Sequence, residues 1–202
     1  RSVIWYLDQF SEDPLQTIIL ANGKPAVELS FRWESSYQSP EGTKYLLCGH
    51  LDRLASLNDQ IYVADRKTTK GMLTPSFFSK FSPDNQMSIY ALSAQMVYQT
   101  PTQGIIIDGV QVAVNFSRFQ RGFVTRTEPQ LTEWYQELRF WLDQAESFAY
   151  HLHWPMNDKA CGMYGGCQFQ GICGKDPRVR EKWLKADFGK RLWDPLQVRG
   201  DI

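Results

Sequence analysis

The chain has 202 residues, of which 43% are hydrophobic and 22% charged, a composition typical of a globular protein that encloses a hydrophobic core. Its 22 basic and 22 acidic residues cancel, which argues against a protein that coats nucleic acid through overall positive charge. The sequence contains no apolar run near the roughly 20 residues that span a bilayer, and no secretory signal is recognisable. The chain opens with Arg1 rather than Met, so we expect further residues upstream.

The first part of the chain combines one helical pattern with three strand-like segments. Apolar residues recur at helical spacing near the N-terminus, whereas the next segments are rich in β-branched and aromatic residues and are separated by turn-forming residues. In chain order, we predict a helix over 1–10, a strand over 25–33, a loop over 37–43, a strand over 44–54, a turn at Asn58-Asp59 and a strand over 60–67.

The rest of the chain alternates between helical and strand-like patterns before it reaches a cysteine-containing segment. This order predicts an α/β fold with a mixed central sheet flanked by helices, in a single domain over 1–202 with its core at about 25–125. The predicted elements are a helix over 83–99 with its N-cap at Ser82 or Asp84, a strand over 104–117, a long helix over 129–150, a cysteine segment over 161–173 and a basic tail over 175–202.

Two acidic residues and a lysine lie at the ends of neighbouring predicted strands. Asp52 lies in GHLDRL, and Asp65 and Lys67 lie in VADRKTT. Side chains two residues apart on a strand point to the same face, so Asp65 and Lys67 project together while Arg66 points away. A hairpin would bring Asp52 beside Asp65, and two such carboxylates repel each other unless a cation offsets their charge. Since Mg²⁺ prefers oxygen ligands, the pattern predicts a divalent metal site, with the backbone carbonyl of Arg66 as a further candidate ligand.

Such a site has a chemical use and also a simpler explanation. A metal ion there would activate a water molecule and neutralise charge at a scissile phosphate, and Lys67 would orient the water or stabilise the developing charge. In the simpler explanation, Asp52 and Asp65 are exposed strand-end residues and Lys67 pairs with one of them. The apolar strands that lead into both motifs, and Gly49 before Asp52, favour the site, but spacing alone leaves both interpretations open.

Together with further motifs, these residues resemble the PD-(D/E)XK nuclease superfamily, in particular its RecB-like and AddB-like branch, which includes single-domain phage and CRISPR-associated nucleases. The resemblance extends over roughly residues 25–175. Its motifs, in order, are Glu28 in AVELSF, Asp52 in GHLDRL, Asp65-Arg66-Lys67, Gln86 and Tyr90 in NQMSIYAL, and Cys161, Cys167 and Cys173.

The resemblance implies a restriction-endonuclease-like core in which Glu28, Asp52 and Asp65 hold Mg²⁺ or Mn²⁺ and Lys67 is catalytic. The implied activity is hydrolysis of DNA, more often exonucleolytic than endonucleolytic, in recombination, repair or phage replication, in the cytoplasm of a bacterium or a phage-infected bacterial cell. One alternative is a catalytically inactive DNA-binding or structural subunit of a recombination complex with the same fold. Another is a regulatory protein that binds metal through its cysteines.

Four residues are candidates for DNA contact. The resemblance implies that Gln86 and Tyr90, one helical turn apart, contact DNA or brace the active site. Arg118 and Arg121 lie among phenylalanines in SRFQRGF, and arginine beside aromatic rings suits phosphate contact and base stacking. Solvated loop charges are the alternative for both arginines.

The cysteine segment is a candidate cluster-binding region. Thiolates are soft ligands that suit Zn²⁺ or iron–sulfur clusters, and the resemblance implies a 4Fe–4S cluster held by Cys161, Cys167 and Cys173. A fourth ligand is not evident, because the family places it upstream of the first helix and we interpret Cys48, on a predicted core strand, as a small buried apolar residue. Either the fourth ligand lies in residues upstream, or the cluster is lost and the segment packs without metal.

Overall fold

The computed structural model describes residues 1–99 and 101–192. The chain forms two compact units, Arg1–Trp141 and Leu142–Ile202. The prediction that all 202 residues form one nuclease domain stays a prediction, and residues 193–202 of the predicted basic tail lie outside the described residues.

The first unit contains a six-stranded sheet with helices around it, and its last helix, α4, continues into the second unit as far as residue 150. The elements are α1 (Ser2–Gln9), β1 (Gln16–Thr17), β2 (Val27–Gln38), β3 (Lys44–Leu57), β4 (Gln60–Thr69), α2 (Pro75–Ser79), α3 (Asn85–Tyr98), β5 (Ile105–Ala113), β6 (Phe116–Val124) and α4 (Glu128–Tyr150).

The sheet is mixed, with the strand order β1-β3-β4-β5-β6 and with β2 paired to β3 beside this path. Only the β4–β5 pair is parallel among the strand pairs of the described residues. A parallel pair needs a crossover connection, and α2 and α3 provide it between the end of β4 and the start of β5. The predicted α/β class with a mixed central sheet is therefore confirmed.

The main hydrophobic core lies between this sheet and α3. Met87 and Ala94 of α3 are fully buried, and they belong to the same apolar cluster as Val63 on β4 and Ile107 on β5. The side chain of Asp84 accepts a hydrogen bond from the backbone N–H of Met87, so Asp84 is the N-cap of the two predicted candidates. The core thus fixes α3 against the strands that carry the acidic motifs.

The segment predicted as one strand over 104–117 is instead the first half of a hairpin. β5 ends at Ala113 and β6 begins at Phe116, so the single-strand prediction was wrong at its C-terminal end. The turn residue Asn115 has φ +70°, a left-handed conformation that Asn tolerates better than most residues. Strand β6, which then runs antiparallel to β5, contains the SRFQRGF segment with both candidate arginines.

The second unit is small and helical. It contains two short 3₁₀ turns, Asp158–Ala160 and Met163–Gly165, followed by α5 (Gln170–Cys173) and α6 (Pro177–Asp187). Ile172 is buried in this unit, and the rings of Phe169 and Phe188 stack with centroids 4.9 Å apart. In the part of the chain that the structure describes, no helix has the length and apolar character needed to cross a membrane.

Candidate active site

The antiparallel β3–β4 pair brings Asp52 next to the Asp65-Arg66-Lys67 segment. Arg53 is opposite Ala64 in this pair, so the same register continued by one residue places Asp52 opposite Asp65. The backbone N–H of Arg66 donates a hydrogen bond to Oδ2 of Asp52 over 3.1 Å. The predicted hairpin therefore exists, and the Asp52 carboxylate is fixed against the backbone of the D-x-K segment.

Asp65 is a buried carboxylate whose charge is matched by Lys67. Its side chain is only 1% exposed, and Lys67 Nζ donates to Oδ1 over 3.1 Å and lies 2.8 Å from Oδ2. Burial raises the pKa of Asp65 above its usual value, Lys67 opposes this increase, and the Asp52 carboxylate adds to it. Oδ2 of Asp65 is buried and accepts no hydrogen bond from any described residue. Lys67 Nζ lies close to this oxygen, but the contact does not have the geometry of a hydrogen bond.

Gln86 and Tyr90 on α3 continue the contact chain that starts at Asp65. Lys67 Nζ donates to Oε1 of Gln86 over 2.7 Å, and Nε2 of Gln86 donates to the Tyr90 hydroxyl over 2.9 Å. Burial raises the pKa of Tyr90 to about 12, with the Asp52 and Asp65 carboxylates adding to the increase and Glu28 contributing further. The Tyr90 hydroxyl therefore lies within the electrostatic reach of all three predicted ligand residues.

Glu28 lies at an irregular position on β2. Its neighbours Val27 and Leu29 pair with Arg53 and Leu51 of β3, whereas Glu28 itself has φ +50°, a left-handed conformation that is uncommon for a non-glycine residue. Glu28 is exposed and lines, with Asp52, Arg66 and Asp108 but without Asp65 or Lys67, a cleft of about 300 Å³. Strained backbone of this kind persists where the surrounding structure holds it, and it is concentrated at functional sites.

Arg66 has its backbone and its side chain in two different environments. Its N–H contacts Asp52, but its guanidinium lies on the other face of β4, where Nε and Nη2 donate to Oδ2 of Asp108 over 3.2 and 3.0 Å. This agrees with the prediction that Arg66 points away from Asp65. Asp108 is 2% exposed and also accepts a hydrogen bond from the Tyr6 hydroxyl over 2.5 Å.

The two candidate DNA-binding arginines on β6 have unlike surroundings. Arg121 makes a bidentate ion pair with Asp13, both bonds being 2.6 Å, and its side chain is 14% exposed. It is paired across the strands with Asp108, on the face that carries the Arg66 guanidinium. Arg118 is exposed, and its guanidinium lies 5.3 Å from the centroid of the Phe116 ring. The structure thus gives Arg121 a set of internal partners, while Arg118 is presented to solvent.

The carboxylates fit a divalent cation as a pair rather than as a complete cage. Asp52 and Asp65 are neighbouring carboxylates that repel each other when both are ionised, and Asp65 retains a buried oxygen without a hydrogen bond from the described residues. Carboxylate oxygens are the ligands that Mg²⁺ and Mn²⁺ prefer. Across residues 1–99 and 101–192, no three His, Cys, Asp or Glu side chains are grouped closely enough to hold an ion, so Glu28 is not gathered with the other two.

The cysteines of the predicted cluster are near one another along the chain. All four cysteines are free thiols; Cys167 and Cys173 are exposed, and Cys161 and Cys48 are half-buried. The backbone N–H of Cys167 donates to the carbonyl of Cys161 over 2.9 Å, which closes the loop between them. The sulfurs do not form a metal-binding group in the described residues, and the cluster stays a prediction.

Asp108 and Tyr6 are the residues near the candidate site that the sequence did not identify. The available signal was a lone carboxylate within the apolar run IIIDGV, because a charged residue in such a run is buried only with a partner. The partner itself was not predictable, since Tyr6 and Asp108 are 102 positions apart.

Comparisons with known proteins bear on the family. The family model described as the PD-(D/E)XK nuclease superfamily matches residues 9–174, which include every residue of the candidate site. A search of the curated proteins gives no match. The solved structure titled "Crystal structure of SSO0001" is similar at 14% identity, over 55% of this chain and 48% of that chain. This chain therefore spans about half the length of that protein. The TM-score of the match is 0.34, and no conclusion is drawn from it.

The family match covers most of the chain and extends over the mixed sheet, α3 and both acidic motifs. The observed sheet with its flanking helices is consistent with the restriction-endonuclease-like core that the sequence motifs led us to expect. The chain therefore belongs to the PD-(D/E)XK nuclease superfamily.

Proposed function

We propose that this chain is a metal-dependent DNA nuclease of the RecB-like or AddB-like branch, and that it acts as an exonuclease. The observation that carries the proposal is the contact chain from buried Asp65 through Lys67 and Gln86 to Tyr90, next to Asp52. Nuclease activity in general follows from the superfamily. The DNA substrate, the exonuclease mode and a role in recombination, repair or phage replication rest on the resemblance of the motifs.

The metal ligands in this proposal are the carboxylates of Asp52 and Asp65, with Glu28 and the carbonyl of Arg66 completing the set around Mg²⁺ or Mn²⁺. When bound, such an ion lowers the pKa of a coordinated water and neutralises charge on a phosphate. Asp52 is oriented for this role by the Arg66 N–H, and Asp65 by Lys67. Glu28 is exposed at an irregular position of β2, where it lines the cleft that Asp52 also lines.

Lys67 is the catalytic residue in the proposal. Its ammonium group is held between a carboxylate and an amide oxygen, at 26% side-chain exposure, so it is positioned without being fully shielded from a substrate. From that position, it donates a hydrogen bond to a phosphate oxygen and stabilises the charge that develops there. Gln86 fixes the ammonium, and Tyr90, whose pKa is raised to about 12, keeps its hydroxyl proton at neutral pH and holds the Gln86 amide.

The cysteine segment is a separate part of the proposal. The three thiols are not gathered in the described residues and a fourth ligand is not evident, so we assign no step of the reaction to a cluster. A 4Fe–4S cluster would stabilise the fold of the cysteine segment, as closed metal sites do. Iron analysis and a visible absorption spectrum of anaerobically purified protein test this part independently of DNA cleavage.

The experiment that tests the proposed function is degradation of linear DNA with added Mg²⁺ or Mn²⁺. We expect cleavage by the wild type and its loss in Asp65→Ala and Lys67→Ala, with exposed-site variants Asp158→Ala and Lys24→Ala as matched controls that cut normally. Closed circular DNA resists an exonuclease, so comparing it with linear DNA tests the mode. Folded wild type that binds DNA but cuts under neither metal would establish the alternative of an inactive subunit, and unchanged cleavage in both alanine variants would refute the site assignment.

A further inference from the structure

Asp52 accepts a hydrogen bond from the backbone N–H of a residue, Arg66, whose side chain is anchored on the opposite face of the sheet. The only protein hydrogen bond recorded for its carboxylate, among the described residues, comes from the N–H of Arg66. The Arg66 guanidinium extends away from Asp52 and is anchored by two bonds to Oδ2 of Asp108, at 3.2 and 3.0 Å. Arg66 therefore links the Asp52 carboxylate, through its backbone N–H, to the Asp108 carboxylate, through its guanidinium.

The anchor for Arg66 is a polar cluster around the buried carboxylate of Asp108, which we call the rear cluster: Tyr6, Arg66, Asp108 and Arg121. Asp108 is 2% exposed, and its carboxylate lies between two guanidinium groups, with Arg121 Nε 3.5 Å from Oδ1. Tyr6 completes the cluster, because its hydroxyl donates to Oδ2 of Asp108 and its ring stacks under the Arg66 guanidinium at 4.3 Å. A charge this deeply buried is tolerated only while its partners remain in place.

Helix α1 contributes Tyr6 to the rear cluster and depends on it in turn. Every residue of α1, all of which the structure describes, keeps at least part of its surface exposed, so deep apolar burial does not hold this helix. Its attachment comes from Tyr6, which bonds to Asp108 and packs edge-on against Phe119 of β6 at 5.2 Å, and from Ser2, whose hydroxyl accepts a hydrogen bond from the Ser117 hydroxyl over 2.7 Å. The pKa of the Tyr6 hydroxyl is raised by burial and then by Asp108, so it remains a donor at neutral pH.

We propose that Tyr6 and Asp108 are positioning residues for the active site, which act through Arg66 to hold the carboxylate of Asp52. The inference rests on the proposed function, because it takes Asp52 to be a metal ligand. The partners that orient metal ligands contribute to metal affinity even when they do not touch the ion. Helix α1, through Tyr6, thereby contributes to the position of the Asp52 carboxylate.

The test uses Tyr6→Phe and Asp108→Asn, which remove a hydroxyl and a charge with little change of shape. Tyr62→Phe is the matched control, because the Tyr62 hydroxyl donates to Oε1 of Gln60 in an exposed position. Titration of the metal-free protein with Mn²⁺ gives the dissociation constant, and ¹⁵N-edited NMR gives the chemical shift of the Arg66 amide proton. We expect the dissociation constant to rise about tenfold in Asp108→Asn and by less in Tyr6→Phe, with a shift of the Arg66 amide in both and neither effect in Tyr62→Phe.

The outcomes separate this inference from the proposed function. Wild type that binds Mn²⁺ without cutting DNA, with weaker binding in both variants, would support the positioning role and overturn the nuclease proposal. Wild type that cuts DNA, with an unmoved Arg66 amide and unchanged Mn²⁺ affinity in the variants, would overturn the positioning role alone. If Asp108→Asn fails to fold, Tyr6→Phe decides the question, since it removes one hydroxyl and leaves every charge in place.

Discussion

At the residue scale, the candidate site is built so that each polar group restrains the next. Asp65 is too buried to remain ionised at low cost by itself, and the ammonium of Lys67 offsets that cost. Lys67 is in turn held by Gln86, and Gln86 by Tyr90. Preorganised groups of this kind stabilise a transition state without having to reorient during the reaction. The catalytic contribution of Gln86 and Tyr90 is therefore expected to act through Lys67.

Removal of the Tyr90 hydroxyl tests that dependence. Tyr90→Phe keeps the buried ring but leaves the Gln86 amide without its acceptor, so we expect DNA cleavage to slow by about tenfold, as outer-shell changes do. Loss of one hydrogen bond changes the free energy of unfolding by only about 1 kcal/mol. Cleavage rates and urea unfolding measure the two effects. Tyr98→Phe is the control on the same helix, because its hydroxyl bonds to the Ser30 carbonyl, and an equal loss of activity there would contradict the role of Tyr90.

The buried carboxylate also predicts how the stability of the metal-free protein depends on pH. The folded-state pKa of Asp65 is raised above its usual value of 3.8, so the folded state holds this proton more tightly than the unfolded state. The free energy of unfolding therefore falls as pH rises from 3.8 through the folded-state pKa of Asp65. Above that pKa, the full cost of burying the ionised carboxylate is present. We expect Asp65→Asn to unfold at a higher temperature than the wild type at neutral pH, with the difference shrinking towards acid pH. If Asp65→Asn melts at a lower temperature than the wild type at pH 7, burial of the ionised Asp65 carboxylate does not destabilise the folded state and the prediction is wrong.

At the element scale, α2 rests on two glycines of the β5–β6 hairpin. A Cβ atom at Gly122 would lie 2.8 Å from Cγ of the Phe78 ring and closer still to Cδ1, and one at Gly109 would lie 3.2 Å from Cζ of the same ring. The aromatic ring thus packs directly on backbone. Since α2 begins the crossover that leads from β4 to α3, this contact sets where the Lys67 strand end meets Gln86.

Gly122→Ala tests that contact. The added methyl group must displace Phe78, and overpacking of this kind lowers the free energy of unfolding by about 1–3 kcal/mol. Urea unfolding measures the change, with Gly189→Ala as control, because no described atom lies within 4 Å of a Cβ at that position. Equal stability of the two variants would show that α2 moves freely over the hairpin.

Local patterns in the sequence predicted the helices. They did not predict the turn of the β5–β6 hairpin or the contacts between residues that are distant in the chain. The helical spacing of apolar residues in 83–99 and 129–150 predicted α3, which buries Met87, Tyr90, Ala91 and Ala94, and α4, of which only Leu131 is buried among the described residues. The hairpin turn at Asn115 was missed because the apolar run continues through Val112 to Val114 and hides it. Gln86 and Tyr90 were identified by motif, but their contact with Lys67 was not predictable from spacing alone.

At the scale of the whole molecule, zero net charge reflects pairing of charges inside the fold as well as on its surface. Arg66 and Arg121 are directed towards Asp108 and Asp13, and Lys67 towards Asp65. These three cations therefore neutralise carboxylates that are buried, at Asp65 and Asp108, or partly buried, at Asp13. Under the proposed function, contact with a DNA backbone would fall to exposed residues such as Arg118, which lies on the edge strand of the sheet and is open to solvent.

The two β6 arginines consequently predict opposite phenotypes. Arg121→Ala leaves Asp13 without its bidentate partner and Asp108 with one guanidinium fewer, and breaking such a partly buried pair lowers the free energy of unfolding by about 1–3 kcal/mol. Arg118→Ala is a surface change and alters the stability by less than about 0.5 kcal/mol. If Arg118 contacts a phosphate, its loss weakens DNA binding and lowers the salt dependence of the binding constant by about one contact. Urea unfolding and DNA titration at several salt concentrations, applied to both variants, measure these effects. Normal stability with weakened DNA binding in Arg121→Ala would reverse the assignment, because it would mean that the Asp13 pair opens to let Arg121 contact DNA.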